Sequence, residues 1–110
     1  MSANKYHAKK VQLPSGERFD SKREYRRWKE LQLMEKAGEI SSLKRQVPFE
    51  LICAHPPEFK RPIKYIADFV YIDERSSHVV VEDAKGMKTS AYNIKKRLMF
   101  DKYGIMIQEV

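Results

Sequence analysis

The sequence predicts an α/β (α+β) domain in which a mixed, mostly antiparallel sheet is flanked by two helices. Three observations predict it. Tyr25, Trp28, Leu31 and Met34 recur at helical spacing and stop before Gly38. Three central runs, 39–52, 64–73 and 78–86, are rich in β-branched and aromatic residues. A second helical stretch, 89–104, ends at Gly104 and precedes the short apolar run IMIQEV. The order is therefore helix, strands, helix, strand, and a helical crossover before the last strand allows it to pair in parallel.

Taken in order, residues 1–10 are polar and basic without periodicity, and they read as a flexible basic arm. Residues 11–110 form a single domain, because 110 residues leave room for one modest core. VQLPSGERF reads as a short strand with a turn at Pro14, Ser15 and Gly16. The first helix runs from Ser21 to about Ala37. The strands EISSLKRQVPFELI and KYIADFVYID follow, separated by the breaker-rich AHPPEFKRP, and then HVVVEDAKG.

Charge narrows the function. Lys and Arg number 22 against 15 Asp and Glu, a net charge of +7 with a pI near 9.5. Such an excess on a small domain favours polyanionic partners, nucleic acid first and an anionic membrane surface second. Cys53 is the single cysteine, so neither an internal disulfide nor a Cys-based zinc site can be built, which fits a reducing cytoplasm. No apolar run approaches a membrane span and MSANKYHAKK lacks the apolar centre of a signal peptide, so a soluble cytoplasmic protein is expected. His7, His55 and His78 lack metal-ligand spacing.

The valine strand VVVEDAKG ends in charge, and its register says what the charge meets. If Asp73 pairs with His78 across the loop Glu74–Ser77, Asp68 falls directly opposite Asp83. Strict alternation would then put Ile66, Asp68, Val70 and Ile72 on one face, with Val79, Val81, Asp83 and Lys85 facing the same way and Glu82 the other. Two opposed carboxylates repel unless a cation or a proton lies between them. Solvation of the strand end, with Lys85 as the neutralising charge, is the competing reading.

Asp68 in YIADF, Asp83-Ala84-Lys85 in VVVEDAKG and Glu24 in FDSKREY, in that setting of helix and strands, resemble the PD-(D/E)XK nuclease superfamily with its restriction-endonuclease-like core. The closer resemblance is to its small phage-type members described as Holliday-junction-resolvase-like, and it spans about Val11 to Val110. Ala67 stands where the motif has Pro, a position that supplies no ligand. The resemblance implies that Asp68, Asp83 and the Ala84 carbonyl bind Mg²⁺, joined by Glu24, and that Lys85 orients or activates the attacking water. Mg²⁺ is a hard cation that takes oxygen ligands, and Mn²⁺ is expected to substitute. Ser21 to Glu24 is also a capping box, which would give Glu24 a purely local role.

Lys88, Tyr92, Lys95 and Lys96 on or near the second helix, with Arg23 and Arg27 on the first, are the expected phosphate contacts. Plain solvation for the lysines and core packing for Tyr92 compete with that reading. Gln46 borders the region but reads first as a polar strand residue. The resemblance implies an enzyme, a structure-selective endonuclease acting on branched DNA. Resolution of a four-way junction needs two active sites, hence a homodimer, with Tyr103 or Met106 as interface candidates. The resemblance also places the protein in a bacterial host cell, encoded by a phage or prophage. A nuclease of other specificity (flap, nicking, or the cutting subunit of a recombination or transposition complex) and a non-catalytic DNA-binding protein are the alternatives.

Overall fold

The computed structural model describes residues 10–84 and 88–110. Most of the predicted arm and Lys85 therefore lie outside the described residues. A two-stranded ribbon, β1 (Val11–Gln12) and β2 (Arg18–Phe19), turns at Gly16, whose φ of 97° only glycine adopts freely. Ser21 then caps helix α1 (Lys22–Lys36) by accepting the Glu24 backbone N–H at 3.1 Å. Gly38, at φ 79°, turns the chain into the long hairpin of β3 (Ile40–Ile52) and β4 (Ile63–Asp73). β5 (Val79–Asp83), α2 (Ser90–Tyr103, capped by the Thr89 hydroxyl and ended by Gly104) and β6 (Gln108–Glu109) complete the chain. No helix among the described residues is long and apolar enough to cross a membrane.

The four-stranded sheet has the order β3-β4-β5-β6, with antiparallel pairs β3/β4 and β4/β5 and a parallel pair β5/β6. The helical crossover expected before the last strand is α2. The β4/β5 ladder runs from Ile72↔Val79 to Phe69↔Glu82, the register expected from the Asp73–His78 turn, and the next step would bring Asp68 opposite Asp83. Each face of the sheet carries a cluster. Tyr65, Ala67, Val70 and Val81 pack with Tyr92 and Met99 of α2, whereas Phe69, Tyr71 and Val80 pack with Trp28 and Leu31 of α1.

Those memberships overturn the uninterrupted alternation expected for β4. Tyr65 and Ala67 share the α2 cluster, yet Phe69 and Tyr71, of the same parity, lie in the α1 cluster. β3 does the same: Leu43 packs on the α1 side, and Phe49 and Leu51 on the α2 side. No residue is inserted, since one register holds from Lys44↔Val70 to Glu50↔Lys64. Both strands instead exchange faces at the step of Gln46 and Asp68, which is missing from the ladder and where Gln46 adopts φ 52°. Val70 is thus in the core while Ile66, expected on the same face, is exposed.

Glu82 faces α1 as expected, and there it is clamped. Arg27 Nε and Nη2 donate to its two oxygens at 2.8 and 2.7 Å, and the Tyr71 hydroxyl adds a third donor. The Glu82 side chain is 1% exposed. Arg27, expected to contact DNA, places its guanidinium on Glu82 and Glu30, because a buried carboxylate needs a charged partner. Replacing Arg27 with Met should therefore cost about 3–5 kcal/mol of stability by urea unfolding, and the Arg27→Met/Glu82→Leu double variant should lose much less.

Candidate metal and nucleic-acid site

Glu24 comes from the first turn of α1 and is 2% exposed. Its Oε1 accepts the Asp20 backbone N–H at 2.8 Å, one residue earlier than a capping box would reach, and its Oε2 accepts from Gln46 Nε2 at 3.0 Å. One oxygen therefore serves the helix end while the other faces the sheet. Burial, then the negative charge of Asp68, pushes its pKa above the ordinary value of 4.5, against the opposing pull of the Asp20 amide and of Arg45, 3.6 Å away.

Asp68 shares the same amide. Gln46 Nε2 lies 3.3 Å from its Oδ1, and its Oδ2 accepts the Ala84 backbone N–H at 2.8 Å. Asp68 is thereby held against the residue that follows Asp83. Asp83, fully buried, accepts the Tyr65 hydroxyl on Oδ2 at 2.6 Å. Burial first and that hydrogen bond second drive the Tyr65 phenol upward, so it remains a neutral donor at any physiological pH. Gln46 thus links Glu24 of α1 to Asp68 of β4, and Asp68 in turn reaches the Ala84 backbone, next to Asp83 at the end of β5.

The donor set is all oxygen, two of its acids buried, with no thiolate or imidazole, and this chemistry fits a hard divalent cation. Among the described residues no group of three His, Cys, Asp or Glu stands ready to hold a metal ion. The protein's own donors, Gln46, Tyr65 and two backbone amides, occupy these carboxylates instead.

The expected phosphate contacts divide. Tyr92 is corrected: it is 3% exposed, packs on Tyr65 with ring centroids 6.4 Å apart, and donates its hydroxyl to Glu109 at 2.8 Å, so core packing takes it. Lys88 and Lys96 also meet Glu109, each at 3.1 Å. The three donors pull the Glu109 carboxyl down to about 2, the Tyr92 hydrogen bond most. Arg23 and the half-buried Lys95 lie on the helix surfaces, and Arg23 Nη1 comes 3.5 Å from the Val110 carbonyl. Tyr103, an interface candidate, donates its hydroxyl to Glu50 O within the chain at 2.6 Å, whereas Met106 is exposed.

Sequence reasoning undervalued Gln46 and missed Arg45, Tyr65 and Glu109. Arg45 lies over the Phe19 ring, 3.8 Å from its centroid, and donates to Arg18 O. A lysine or arginine inside an alternating strand is an ordinary surface signal. Tyr65 was hidden by the face exchange, and Glu109 by the parallel register that sets it beside Asp83, which no local pattern encodes.

Residues 3–108 match the family described as "Protein of unknown function (DUF1064)", and the chain belongs to that family. No curated protein and no solved structure matches the chain.

The raised pKa of Glu24 makes its ionised form a burden on the fold. A carboxyl raised in the folded state contributes stability that is present below its ordinary value and lost as pH rises through the folded one. Glu24→Gln should therefore melt no lower than the native protein at pH 7, and any advantage should vanish on acidification below about 4.5, measured by thermal unfolding across pH. Glu109→Gln should behave oppositely, less stable at pH 7 with the deficit closing as pH falls from 4.5 toward about 2.

Proposed function

For this member of a family without an assigned function, we propose a Mg²⁺-dependent DNA endonuclease that hydrolyses phosphodiesters in branched DNA, as a Holliday-junction resolvase does, and leaves 5′-phosphates. The observation that carries the reading is the meeting of Glu24 and Asp68 on one neutral amide, with Asp68 bound in turn to the backbone beside Asp83. The same chain shows how it treats an acid kept for structure: Glu82 receives a bidentate arginine and a tyrosine. Among the described residues, Glu24 and Asp68 receive the shared Gln46 amide, one backbone N–H each and, for Glu24, a guanidinium no nearer than 3.6 Å. Negative charge left under-compensated in a buried setting is a cation site in waiting.

Asp68, Asp83 and the Ala84 carbonyl, with Glu24 directly or through water, would hold Mg²⁺, or Mn²⁺ in its place. The ion supplies Lewis-acid charge at the scissile phosphodiester and lowers the pKa of the attacking water. The chain's own groups do the rest. Tyr65 would orient Asp83 by donating its hydroxyl to one of the carboxylate oxygens. Lys85 would place a compact charge near the attacked phosphate and orient the water. Arg23, Lys88, Lys95 and Lys96 would hold the DNA backbone, giving salt-dependent affinity with little base preference. Two symmetric cuts in a junction require a homodimer, and the setting is the cytoplasm of a bacterial host.

Labelled four-way junction, flap and linear duplex, incubated with the protein and Mg²⁺ or EDTA, test the reading directly. Paired nicks in the junction, abolished by EDTA and reduced more than about 100-fold in Asp83→Asn and Asp68→Asn, are expected, since losing a ligand should exceed the loss seen for outer partners of a metal site. DNA binding by the variants should persist. Equal cutting by Asp83→Asn would overturn the role of Asp83, whereas DNA binding with no cutting of any substrate at any Mg²⁺ concentration would favour the non-catalytic DNA-binding alternative.

A further inference from the structure

Gln46 touches both Glu24 of α1 and Asp68 of β4, and its backbone departs from a regular strand. Its neighbour Arg45 faces α1, lying over Phe19 and 5.6 Å from the Trp28 ring. In an extended strand the next side chain would point to the opposite face, away from Glu24. The φ of 52° at Gln46 instead brings its Nε2 to 3.0 Å from Glu24 Oε2 and 3.3 Å from Asp68 Oδ1. Left-handed backbone is unfavourable for a residue with a long side chain, and such strain persists where the surroundings enforce it. The observed gain for that strain is the amide's position between two carboxylates.

The chemistry of the amide matters as much as its place. An NH₂ group offers two N–H donors from one nitrogen and carries no charge, so it can serve both acids at once without neutralising either. A lysine here would hold the acids by competing with a cation, and a glutamate would add a third repelling charge.

We propose that Gln46 is the positioning residue of the metal site, an uncharged bridge that holds Glu24 and Asp68 aligned before the cation binds. The proposal rests on the nuclease reading above, and it deepens that reading by naming what preorganises the site. Gln46 does not touch the reacting atoms and is not a catalytic residue.

The test is binding of Mg²⁺, and separately of Ca²⁺, to the full chain by calorimetry and by metal-induced shift in Tm, without reference to cutting. In Gln46→Gly the backbone strain is relieved while the amide is lost. Its metal-free Tm should stay within about 4 °C of the native value, a range that corresponds to a small stability change for a domain of this size. Its metal affinity should fall about 10–100-fold, the range usual for an outer partner of a ligand. Gln46→Asn, which tolerates the left-handed backbone and keeps an amide, should recover part of that loss. Native-like affinity in Gln46→Gly overturns the role of Gln46 while leaving the nuclease reading intact. An affinity loss that comes with a metal-free Tm more than about 8 °C lower gives Gln46 a merely structural role and also overturns the proposal. Absence of any Mg²⁺ or Ca²⁺ binding by the native protein overturns both readings together.

Discussion

The clamp between Arg27 and Glu82 fixes the relation between the two parts of the fold on which everything at the candidate site depends. Glu82 and Asp83 are consecutive on β5, so one points to α1 and the other to α2. Glu82 captures Arg27, and Arg27 lies one helical turn after Glu24 on the same helix. Locking the one pair therefore sets the other: α1 can neither rotate nor slide along the sheet without pulling a bidentate guanidinium away from a buried carboxylate. Trp28, stacked on Phe69 at 6.1 Å with nearly parallel rings, adds an apolar contact that resists the same motion.

Buried acids in this small domain are handled in two ways, and the difference has physical meaning. Three tyrosines, Tyr65, Tyr71 and Tyr92, each donate a hydroxyl to one acid, Asp83, Glu82 and Glu109 respectively. Burial, followed by the hydrogen bond to that acid, raises all three phenols, so all three act as neutral donors. What distinguishes the acids is the cation beside them. Glu82 has Arg27, and Glu109 has Lys88 and Lys96. Among the described residues, Glu24 and Asp68 share Gln46, and Glu24 is also approached by a guanidinium at the longer distance of 3.6 Å. Low dielectric magnifies whatever charge is left over, so the handling of each buried acid matters to the fold.

Much of this was legible in the sequence. The apolar stripe of α1, Gly38 and Gly104 as helix ends, and the Asp73–His78 turn are local signals, and local signals survived folding because nothing in the tertiary structure opposed them. From the turn, counting residues gave the register of β5 and so the approach of Asp68 to the Asp83–Ala84 corner. The count could not reveal the exchange of faces at Gln46 and Asp68, because alternation is a rule about extended residues and one residue in the left-handed region suspends it. Arg27 and Arg26 carry equal weight in a tally of basic residues. Only the sheet, by placing Glu82 under one of them, makes Arg27 structural. Tyr92 was ambiguous for a related reason: its spacing on α2 serves a phosphate contact and a core position equally, and the parallel strand β6 decided between them.

The exchange of faces explains how so thin a fold gathers acids from both of its layers. A regular sheet separates its two faces, so a helix on one side and a side chain on the other would be held apart by the full thickness of the strands. At the step of Gln46 and Asp68 the ladder is interrupted, and neither residue belongs wholly to one face. Glu24 arrives there from the α1 layer, and Asp68 reaches across to the backbone that carries Asp83, whose own side chain is tied to the α2 layer through Tyr65. The cost is one strained residue and one missing rung in the most extensively paired part of the sheet. A long hairpin can sustain that loss because pairing resumes in the same register on both sides, from Arg45↔Phe69 and from Val47↔Ala67. The defect is therefore tolerated by the length of β3 and β4, and it is this tolerance that lets Glu24 of α1 and Asp68 of β4 meet on one amide in a domain with so small a core.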